Sequence, residues 1–384
     1  MERRKDDKGR VLKEGESQRK DGRYQYRYLD KYGKRHYIYS DNLKNLREQE
    51  VELQKSIDSG IDISKGKIKV YQLARKYTEL HSAALKSGSY NTQKYYLNLI
   101  KNHPIGNKEI SSIKVLDAKQ YVKDISALGY CYGTINNTLS ILRPAFQDAY
   151  DEDIIPKNPF IFKLSSVITN DAEEKQPITN EQYISLIGFM SKSNIYKKHL
   201  DEVVILYETG IRASELCGIT VNDVDLNNKT LTISHQLLWD VTKKYHIQSP
   251  KSKSGNRTIP LTQGAYDAFK RLLSNKTIRQ NATEIDGYSG FLFYSNRGRP
   301  FCGKDLTQLF TRIINAYNLR HDEKLPHITP HTLRHTFCTR MINSGLNPKS
   351  VQYLMGHSTI DMTLSVYAHA SKETALEDFR KTIA

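Results

Sequence analysis

Five polar residues in the second half of the chain restrict how this part of the molecule can fold. Arg212 lies in TGIRASEL, His331 and Arg334 in PHTLRHTF, His357 in LMGHSTI and Tyr367 in TLSVYAH. Such residues can serve one site only if the fold brings distant segments of the chain together. The set therefore predicts a compact domain that is organised around these side chains.

The residue types suit the transfer of a phosphodiester to a tyrosine. A phosphoryl group in transfer spreads negative charge over its oxygens, and preorganised arginines can bind two of those oxygens at once. A tyrosine can form a covalent phosphoryl intermediate, but its pKa of about 10 means that it needs a base and nearby cations. A lysine near other cations can protonate a departing 5′ hydroxyl, and PKSKSGNRTIPL at Pro250–Leu261 is rich in lysine.

The pattern around these residues predicts three consecutive helices. Apolar residues four apart indicate a helix over Pro330–Asn343. His331 and Arg334, three residues apart, share a face of this helix. Asn347-Pro348 predicts the start of a second helix, and Gly356 fits the left-handed position after its end. Ser358 is expected to cap a third short helix that carries Tyr367.

The motifs resemble those of a known family. In order and spacing, TGIRASEL, PKSKSGNRTIPL, HTLRHTF and LMGHSTIDMTLSVYAH are similar to motifs of tyrosine recombinases, the phage-integrase class of site-specific DNA recombinases. The resemblance covers roughly residues 175–370. The order of parts along the whole chain is most similar to integrases of Gram-positive conjugative transposons.

The resemblance implies a catalytic set and a general acid. The implied catalytic residues are Arg212, Lys251, His331, Arg334, His357 and Tyr367. Lys253 is the second choice for the lysine, because a serine follows Lys251 where the family usually has threonine. Glu215 matches the family's acidic position, and His335 is interpreted as a supporting or core residue. The family's reaction needs no metal, ATP or other cofactor.

A metal site is the competing interpretation of the first helix. His331 and His335 form an H-x-x-x-H pattern with Cys338 nearby. Zinc hydrolases with this spacing have a glutamate at the second position as the general base, whereas this chain has Thr332. The sequence therefore predicts no metal at this position.

Composition favours a polyanionic partner. The chain has 384 residues and a formal net charge of +16, which favours DNA over a membrane surface. Four widely spaced cysteines form no C-x-x-C pair, which fits a reducing cytoplasm. No apolar run is long enough to span a bilayer, and the charged N-terminus lacks a signal-peptide core.

The expected fold class is multidomain α+β with three segments. Residues 1–65 are predicted to form a small β-sheet with a helix, and the resemblance implies that they are an arm-type DNA-binding domain. Residues 66–168 are predicted to form an all-α bundle of four helices. The resemblance implies that this bundle binds the crossover DNA. Residues 169–384 are the expected catalytic domain, mainly α with a small antiparallel sheet and a capping box at Thr179.

Alternation predicts a two-faced sheet in the first segment. Tyr24, Tyr26 and Tyr28 point to one face, and Tyr37 and Tyr39 resume the alternation after a turn at Gly33. The tyrosine face is expected to pack on a helix from Asp41 to about Ser59. The opposite face can then place cations at DNA. Its candidate DNA contacts are Arg23, Gln25, Arg27, Lys34 and Arg35.

Two hairpins and several weaker contacts complete the expectations. Asn227-Asn228 indicates a hairpin, and Ser254-Gly255-Asn256 a second one that would place the lysines on a mobile tip. In the helical segment the candidate phosphate contacts are Lys86, Lys94 and Lys101.

The resemblance also implies partners, and two alternatives stay open. The implied partners are double-stranded DNA at a crossover site and at arm-type repeats, three further protomers in a tetramer, an excisionase and a host DNA-bending protein. One alternative is a type IB topoisomerase-like enzyme that uses the same tyrosine chemistry to relax DNA. The other is a DNA-binding regulator with a silent active site, although no expected catalytic position is missing.

Overall fold

The structure is a computed structural model, and it falls into two units, residues 1–173 and 174–384. It describes residues 4–29, 33–58, 65–82, 87–171, 176–240, 244–250, 253–275, 283–295 and 298–367. Over these ranges, none of the helices has the length and apolar character that a membrane crossing requires.

The first unit begins with a three-stranded antiparallel sheet and a helix. The elements are β1 (Glu16–Gln18), β2 (Tyr24–Leu29), β3 (Arg35–Ser40) and α1 (Leu43–Asp58), with strand order β1-β2-β3. Tyr24 packs with Leu43 and Leu46 in a small core of its own. The predicted sheet, including a strand before the hairpin, and the following helix are confirmed.

The predicted direction of two tyrosines is wrong. Tyr37 pairs with Arg27 and Tyr39 with Gln25 across the β2–β3 ladder. Directly opposed residues share a face of the sheet, so both tyrosines lie on the open, cationic face. They are 43% and 46% exposed and stack on each other with ring centroids 6.4 Å apart. The register of β3 after the turn decides this, and alternation within one strand cannot fix it.

Four helices form the rest of the first unit, as predicted. They are α2 (Val70–Ser82), α3 (Ser87–Asn102), α4 (Val115–Ala127) and α5 (Tyr132–Asp151). Their apolar faces meet in a core that includes Tyr121, Phe146 and Phe160.

The second unit combines helices with two small sheets. Its strands are β4 (Val224–Asp225), β5 (Thr230–Ile233), β6 (Gln236–Asp240), β7 (Lys244–Gln248) and β8 (Arg257–Pro260). Its helices are α6 (Asn180–Lys192), α7 (Leu200–Thr209), α8 (Ala213–Gly218), α9 (Gln263–Ser274), α10 (Gly303–Asn318), α11 (Pro330–Asn343), α12 (Pro348–Met355) and α13 (Asp361–Tyr367). The expected capping box forms at the start of α6, where Thr179 and Gln182 bond reciprocally.

The lysine-rich stretch does not form the second predicted hairpin. Strand β8 pairs with β5, whereas β7 pairs with β6 in a separate two-stranded sheet. Ile259 of β8 lies opposite Leu231, and both are buried in the main core of the unit. This apolar pairing attaches β8 to the hairpin at Asn227-Asn228, which forms as predicted. Lys253–Gly255 is a 3₁₀ turn leading into β8 and not the tip of a β7–β8 hairpin.

The three helices expected around the site are present, with one correction. Helix α11 spans the predicted residues, and α12 begins after the Asn347 cap and ends at Gly356 with φ of 61°. Ser358 does not cap α13, which begins only at Asp361. The carbonyl of Ile360 accepts the first helical bonds, from the amides of Thr363 and Leu364.

Candidate active site

Arg212 is held at the N-terminus of α8 by Glu215. Its amide donates to Glu215 Oε2 at 2.8 Å, and its Nη1 donates to Glu215 Oε1 at 2.7 Å. A carboxylate at the third helical position commonly bonds back to the cap in this way. The Nη2 atom donates to the carbonyl of Gly356 at 2.8 Å, so two elements orient this half-buried guanidinium.

Arg334 lies deep in the same place. Its side chain projects from the first turns of α11, is 6% exposed and donates to two main-chain carbonyls. The Nη1 atom bonds Gly210 at 2.8 Å, and the Nη2 atom bonds Met355 at 2.5 Å. Burial, followed by the positive charge of Arg212, lowers the pKa of Arg334.

The sequence interpretation missed a third arginine, Arg257. It is the first residue of β8, and its side chain is fully buried. It donates to both carboxylate oxygens of Glu215, at 3.2 and 2.9 Å, and to the carbonyl of Leu354 at 2.8 Å. Its position could have been inferred from alternation, because Arg257 shares the buried face of β8 with Ile259.

The three guanidinium groups converge on the last turn of α12. Arg257 bonds the carbonyl of Leu354, Arg334 that of Met355 and Arg212 that of Gly356. The last carbonyls of a helix have no partner within the helix and carry the negative end of its dipole. This helix end is therefore a natural acceptor for cations, and it gathers residues from three separate elements.

This cluster carries an excess of positive charge. Burial by itself raises the pKa of Glu215, but hydrogen bonds and charge from Arg257, followed by the charge of Arg212, lower it to about 2. Glu215 is therefore ionised at neutral pH. Three guanidinium groups against one carboxylate leave these four side chains with two uncompensated positive charges. The arrangement suits an anion.

His357 lies directly after this helix end. It is 6% exposed, and its Nδ1 is 2.9 Å from the hydroxyl of Thr363 on α13. Burial, followed by the positive charge of Arg334 and Arg212, lowers the pKa of His357 to about 4. The imidazole is therefore neutral at physiological pH. Thr363 is a second residue that the sequence interpretation missed.

The two histidines of α11 have different surroundings. His331 is exposed, and its charge is one of the causes that lower the pKa of His357. His335 is half-buried, and its Nδ1 lies 3.2 Å from the hydroxyl of Thr339 on the same helix. Within the described ranges no group of three or more His, Cys, Asp or Glu side chains could hold a metal ion.

The structure places the lysine region and the tyrosine only by their backbone. Lys251 lies outside the described residues, and Lys253 begins the 3₁₀ turn that ends at Gly255. The carbonyl of Ser254, the next residue, lies 3.2 Å from the point that a Cβ on Gly356 would occupy. Tyr367 is the last residue of α13, and its side chain is outside the described part.

The expected DNA contacts lie on the surface wherever they are described. In the N-terminal sheet Arg23, Arg27, Lys34 and Arg35 are exposed and Gln25 is half-buried. In α3, Lys94 and Lys101 are exposed, and the ammonium of Lys101 lies 5.7 Å from the centre of the Tyr71 ring. Lys86 lies outside the described residues.

Comparison with known proteins identifies the class. Residues 176–374 match the phage integrase family, and residues 1–57 match the DNA binding domain of the Tn916 integrase. The chain belongs to the phage integrase family and is an enzyme of the tyrosine site-specific recombinase class.

The similarity to transposon proteins extends over nearly the whole chain. The transposase from transposon Tn916 of Enterococcus faecalis is 42% identical over 393 aligned residues, which cover 99% of this chain and 96% of that protein. A structure of the Tn1549 transposon integrase in complex with a circular intermediate DNA is 40% identical, with a TM-score of 0.78, and covers 82% of this chain and 99% of that one. A lambda integrase tetramer bound to a Holliday junction shares the fold at 17% identity, with a TM-score of 0.57 over 92% of this chain and 94% of that one.

Proposed function

We propose that this recombinase integrates and excises a transposon-type mobile element by cutting and rejoining DNA through a 3′-phosphotyrosine at Tyr367. The observation that carries the proposal is the convergence of Arg212 and Arg334 beside His357, with more positive charge than Glu215 can compensate. A scissile phosphodiester supplies the missing negative charge.

In the cleavage step the Tyr367 oxygen attacks the phosphorus and the bond to the 5′ oxygen breaks. The two arginines bind the non-bridging oxygens, on which negative charge grows in the transition state. Neutral His357 donates from Nε2 to the phosphate in the tautomer whose Nδ1 accepts the hydroxyl hydrogen of Thr363, 2.9 Å away. Glu215 keeps Arg212 in place and does not contact the substrate.

Two proton transfers accompany this step. Exposed His331 accepts the proton of the Tyr367 phenol, and Lys251, with Lys253 as the second candidate, gives a proton to the departing 5′ oxygen. His335, four residues after His331, is proposed to stabilise α11 through its contact with Thr339. The 5′ hydroxyl of the partner strand then attacks the phosphotyrosine, and the same protons return. The covalent link retains the bond energy, so neither ATP nor a metal ion is required.

The remaining parts of the chain are proposed to hold DNA. Residues 1–65 bind arm-type repeats, 66–168 bind the crossover site with Lys86, Lys94 and Lys101 on phosphates, and 169–384 carry out catalysis. On the N-terminal sheet the open face combines the cations Arg27 and Arg35 with Gln25 and the stacked Tyr37 and Tyr39. The exposed cations Arg23 and Lys34 lie directly before β2 and β3. Cations bind phosphates, and the amide and aromatic side chains can contact bases.

The working complex is proposed to be a homotetramer on two duplexes in the bacterial cytoplasm. The Tn1549 integrase was captured with a circular intermediate DNA and the lambda integrase as a tetramer on a Holliday junction. An excisionase and a host DNA-bending protein are the proposed accessory partners.

A nicked suicide duplex that carries the crossover site tests the central claim. The unchanged chain should form a denaturant-resistant adduct with the 3′ end, and Tyr367→Phe should form none while binding the duplex nearly as well, because only one oxygen is removed. An adduct with the phenylalanine variant would place the nucleophile elsewhere, and no adduct with the unchanged chain would favour a silent regulator. Supercoil relaxation without exchange between two sites would favour a topoisomerase.

A further inference from the structure

Among the described residues, the ion pair between Arg257 and Glu215 is the most deeply buried charge pair, and the proposed reaction gives Arg257 no role. Both side chains are almost completely buried, at 0% and 2% exposed. Removing two charges from water is costly, and the cost is recovered only with close geometry and further hydrogen bonds. Arg257 has both, with two bonds to Glu215 and one each to the carbonyls of Leu354 and Gly255.

The partners of Arg257 are the groups that orient the phosphate-binding residues. Glu215 bonds the amide and the Nη1 of Arg212. Leu354 belongs to the helix end whose next two carbonyls accept Arg334 and Arg212. His357 follows that helix end directly. The buried guanidinium of Arg257 thus connects two parts of the site. One is the carboxylate of Glu215, which orients Arg212. The other is the end of α12, whose backbone carbonyls hold both Arg212 and Arg334.

Close packing at Gly356 indicates that this connection has one fixed geometry. A Cβ on Gly356 would lie 2.8 Å from Nη1 and 3.1 Å from Cζ of Arg257. A side chain at this position would therefore require the bonded guanidinium or the backbone of Gly356 to shift. A second contact joins the same two elements, because the hydroxyl of Tyr353 bonds the backbone amide and carbonyl of Thr258.

We propose that Arg257 is a positioning residue for the cleavage reaction. It holds Glu215 and the last turn of α12 at one fixed separation, and in this way it sets the direction of Arg212 and the place of His357. It does not contact the phosphate itself. The inference rests on the proposed function, since it concerns the same site.

A purely structural role predicts a different outcome. If Arg257 only stabilised the attachment of β8, any change that weakened this strand equally would slow cleavage equally. Ile259 offers the matched control, because it lies on the same buried face of β8 and makes apolar contacts only. Ile259→Ala therefore weakens the strand and leaves the hydrogen bonds of the arginine cluster in place. The Tyr353–Thr258 contact does not involve Arg257, so we expect it to hold α12 against β8 in the Arg257 variants as well.

The experiment compares Arg257→Met, Arg257→Lys and Ile259→Ala in the full chain. Folded fraction, affinity for the crossover duplex and the single-turnover rate of adduct formation at saturating suicide duplex are measured for each. Outer partners that orient the ligands of a metal contribute about 10- to 100-fold to activity, and we take the same scale for a residue that orients phosphate-binding arginines. We expect Arg257→Met to cleave about 10- to 100-fold more slowly, with duplex affinity changed less than about threefold. Arg257→Lys should recover part of the rate, because it keeps a charge beside Glu215 but cannot reach all of the acceptors.

Each outcome decides the inference separately from the proposed function. Cleavage by folded Arg257→Met at the unchanged rate would overturn it, as would an equal loss in Ile259→Ala at equal folded fraction. If Arg257→Met does not fold, Arg257→Lys decides, and an unchanged rate for it would overturn the inference. If the unchanged chain forms no adduct, the proposed function fails first.

Discussion

At the scale of single residues, the site depends on guanidinium groups that already have partners before DNA arrives. Arg212 and Arg334 are each bonded to main-chain carbonyls, so their direction is set by the fold. Preorganised donors of this kind need little rearrangement when charge develops in the transition state. The fork of arginine matters here, because each terminal nitrogen carries two hydrogens, and the hydrogen that is not donated to the scaffold remains for the proposed phosphate.

Replacing either arginine by lysine should separate cleavage from binding. Arg212→Lys and Arg334→Lys keep the charge but lose the second donor of the fork. We expect a loss of about 2.7–4 kcal/mol of transition-state stabilisation, as for a single donor at such a site. Adduct formation and duplex affinity measure the two effects, and Arg271→Lys, at an exposed pair with Asp201, is the control. Cleavage near the normal rate in both site variants would show that neither residue acts on the scissile phosphate.

Leaving-group chemistry can identify the general acid. If Lys251 protonates the 5′ oxygen, Lys251→Ala should cleave normal DNA very slowly. A bridging 5′-phosphorothiolate departs as a thiolate, which needs little protonation because a thiol has a pKa of about 8.5. This substrate should rescue Lys251→Ala but not Arg212→Ala, whose defect is in charge stabilisation. Rescue confined to Lys253→Ala would assign the acid to Lys253, and rescue of neither would remove this segment from the role.

The lowered pKa of His357 makes stability depend on pH. An unfolded histidine binds a proton below about pH 6.5, whereas folded His357 stays neutral down to about pH 4. Its contribution is therefore fully present above pH 6.5 and is lost as pH falls from 6.5 to about 4. The shift corresponds to roughly 3 kcal/mol. Urea unfolding between pH 7 and 4 should show a shallower pH dependence for His357→Gln, and identical slopes would contradict the assignment.

Single-residue patterns predicted much of this site but not its connections. Pro330, Pro348 and Gly356 mark the ends of α11 and α12 through local backbone preferences, so these bounds follow from the sequence. Two partners of Arg257, Glu215 and Leu354, lie 42 and 97 residues away along the chain. No local preference specifies such contacts. The alternation along β8 does indicate that Arg257 lies on the buried face of the strand.

At the scale of elements, the end of α12 is the structural centre of the site. The carbonyls of its last two residues and of the capping Gly356 accept bonds from β8, from α11 and from the N-terminal cap of α8. The same scale explains where the predicted hairpin fails. The attachment of β8 is decided by Leu231 on β5, and a turn-forming sequence alone cannot report which strand lies beside it.

A glycine substitution can test the importance of this helix end. Gly356 and Gly345 both have left-handed φ angles, 61° and 81°, but a Cβ would meet Arg257 at Gly356 and open space at Gly345. Gly345→Ala should therefore lower the free energy of unfolding only by the cost of backbone strain, roughly 1–2 kcal/mol. Gly356→Ala should lose more stability and also slow adduct formation, measured by urea unfolding and on the suicide duplex. Equal effects of the two changes on both measurements would mean that the close approach to Arg257 has no influence.

At the scale of the whole molecule, the N-terminal sheet has a core separate from that of the helices that follow it. Its open face gains two exposed tyrosines that alternation had assigned to the buried side. This face could not be derived from one strand, because the turn between β2 and β3 sets which side each residue of β3 takes. The result is an open face with more aromatic side chains than the sequence predicted.

Removal of about the first 65 residues should spare the chemistry. The truncated chain should still form an adduct with a crossover-site suicide duplex, because the cation cluster lies entirely within residues 174–384. It should bind distal repeats weakly and recombine full sites poorly. Arg27→Ala/Arg35→Ala in the full chain should reproduce the repeat-binding defect without removing the domain. Full-site recombination by the truncated chain at the normal rate would exclude an arm-binding role.

The main-chain character of the acceptors on α12 has a consequence for mutational tolerance. Carbonyl oxygens are present whatever side chain a residue carries, so the groups that gather the three arginines cannot be removed by changing Leu354 or Met355 alone. Side-chain scanning of this helix end would miss its electrostatic contribution. What must persist is the path of the backbone and its termination at Gly356, which leaves room for sequence drift while the geometry of the cations stays the same.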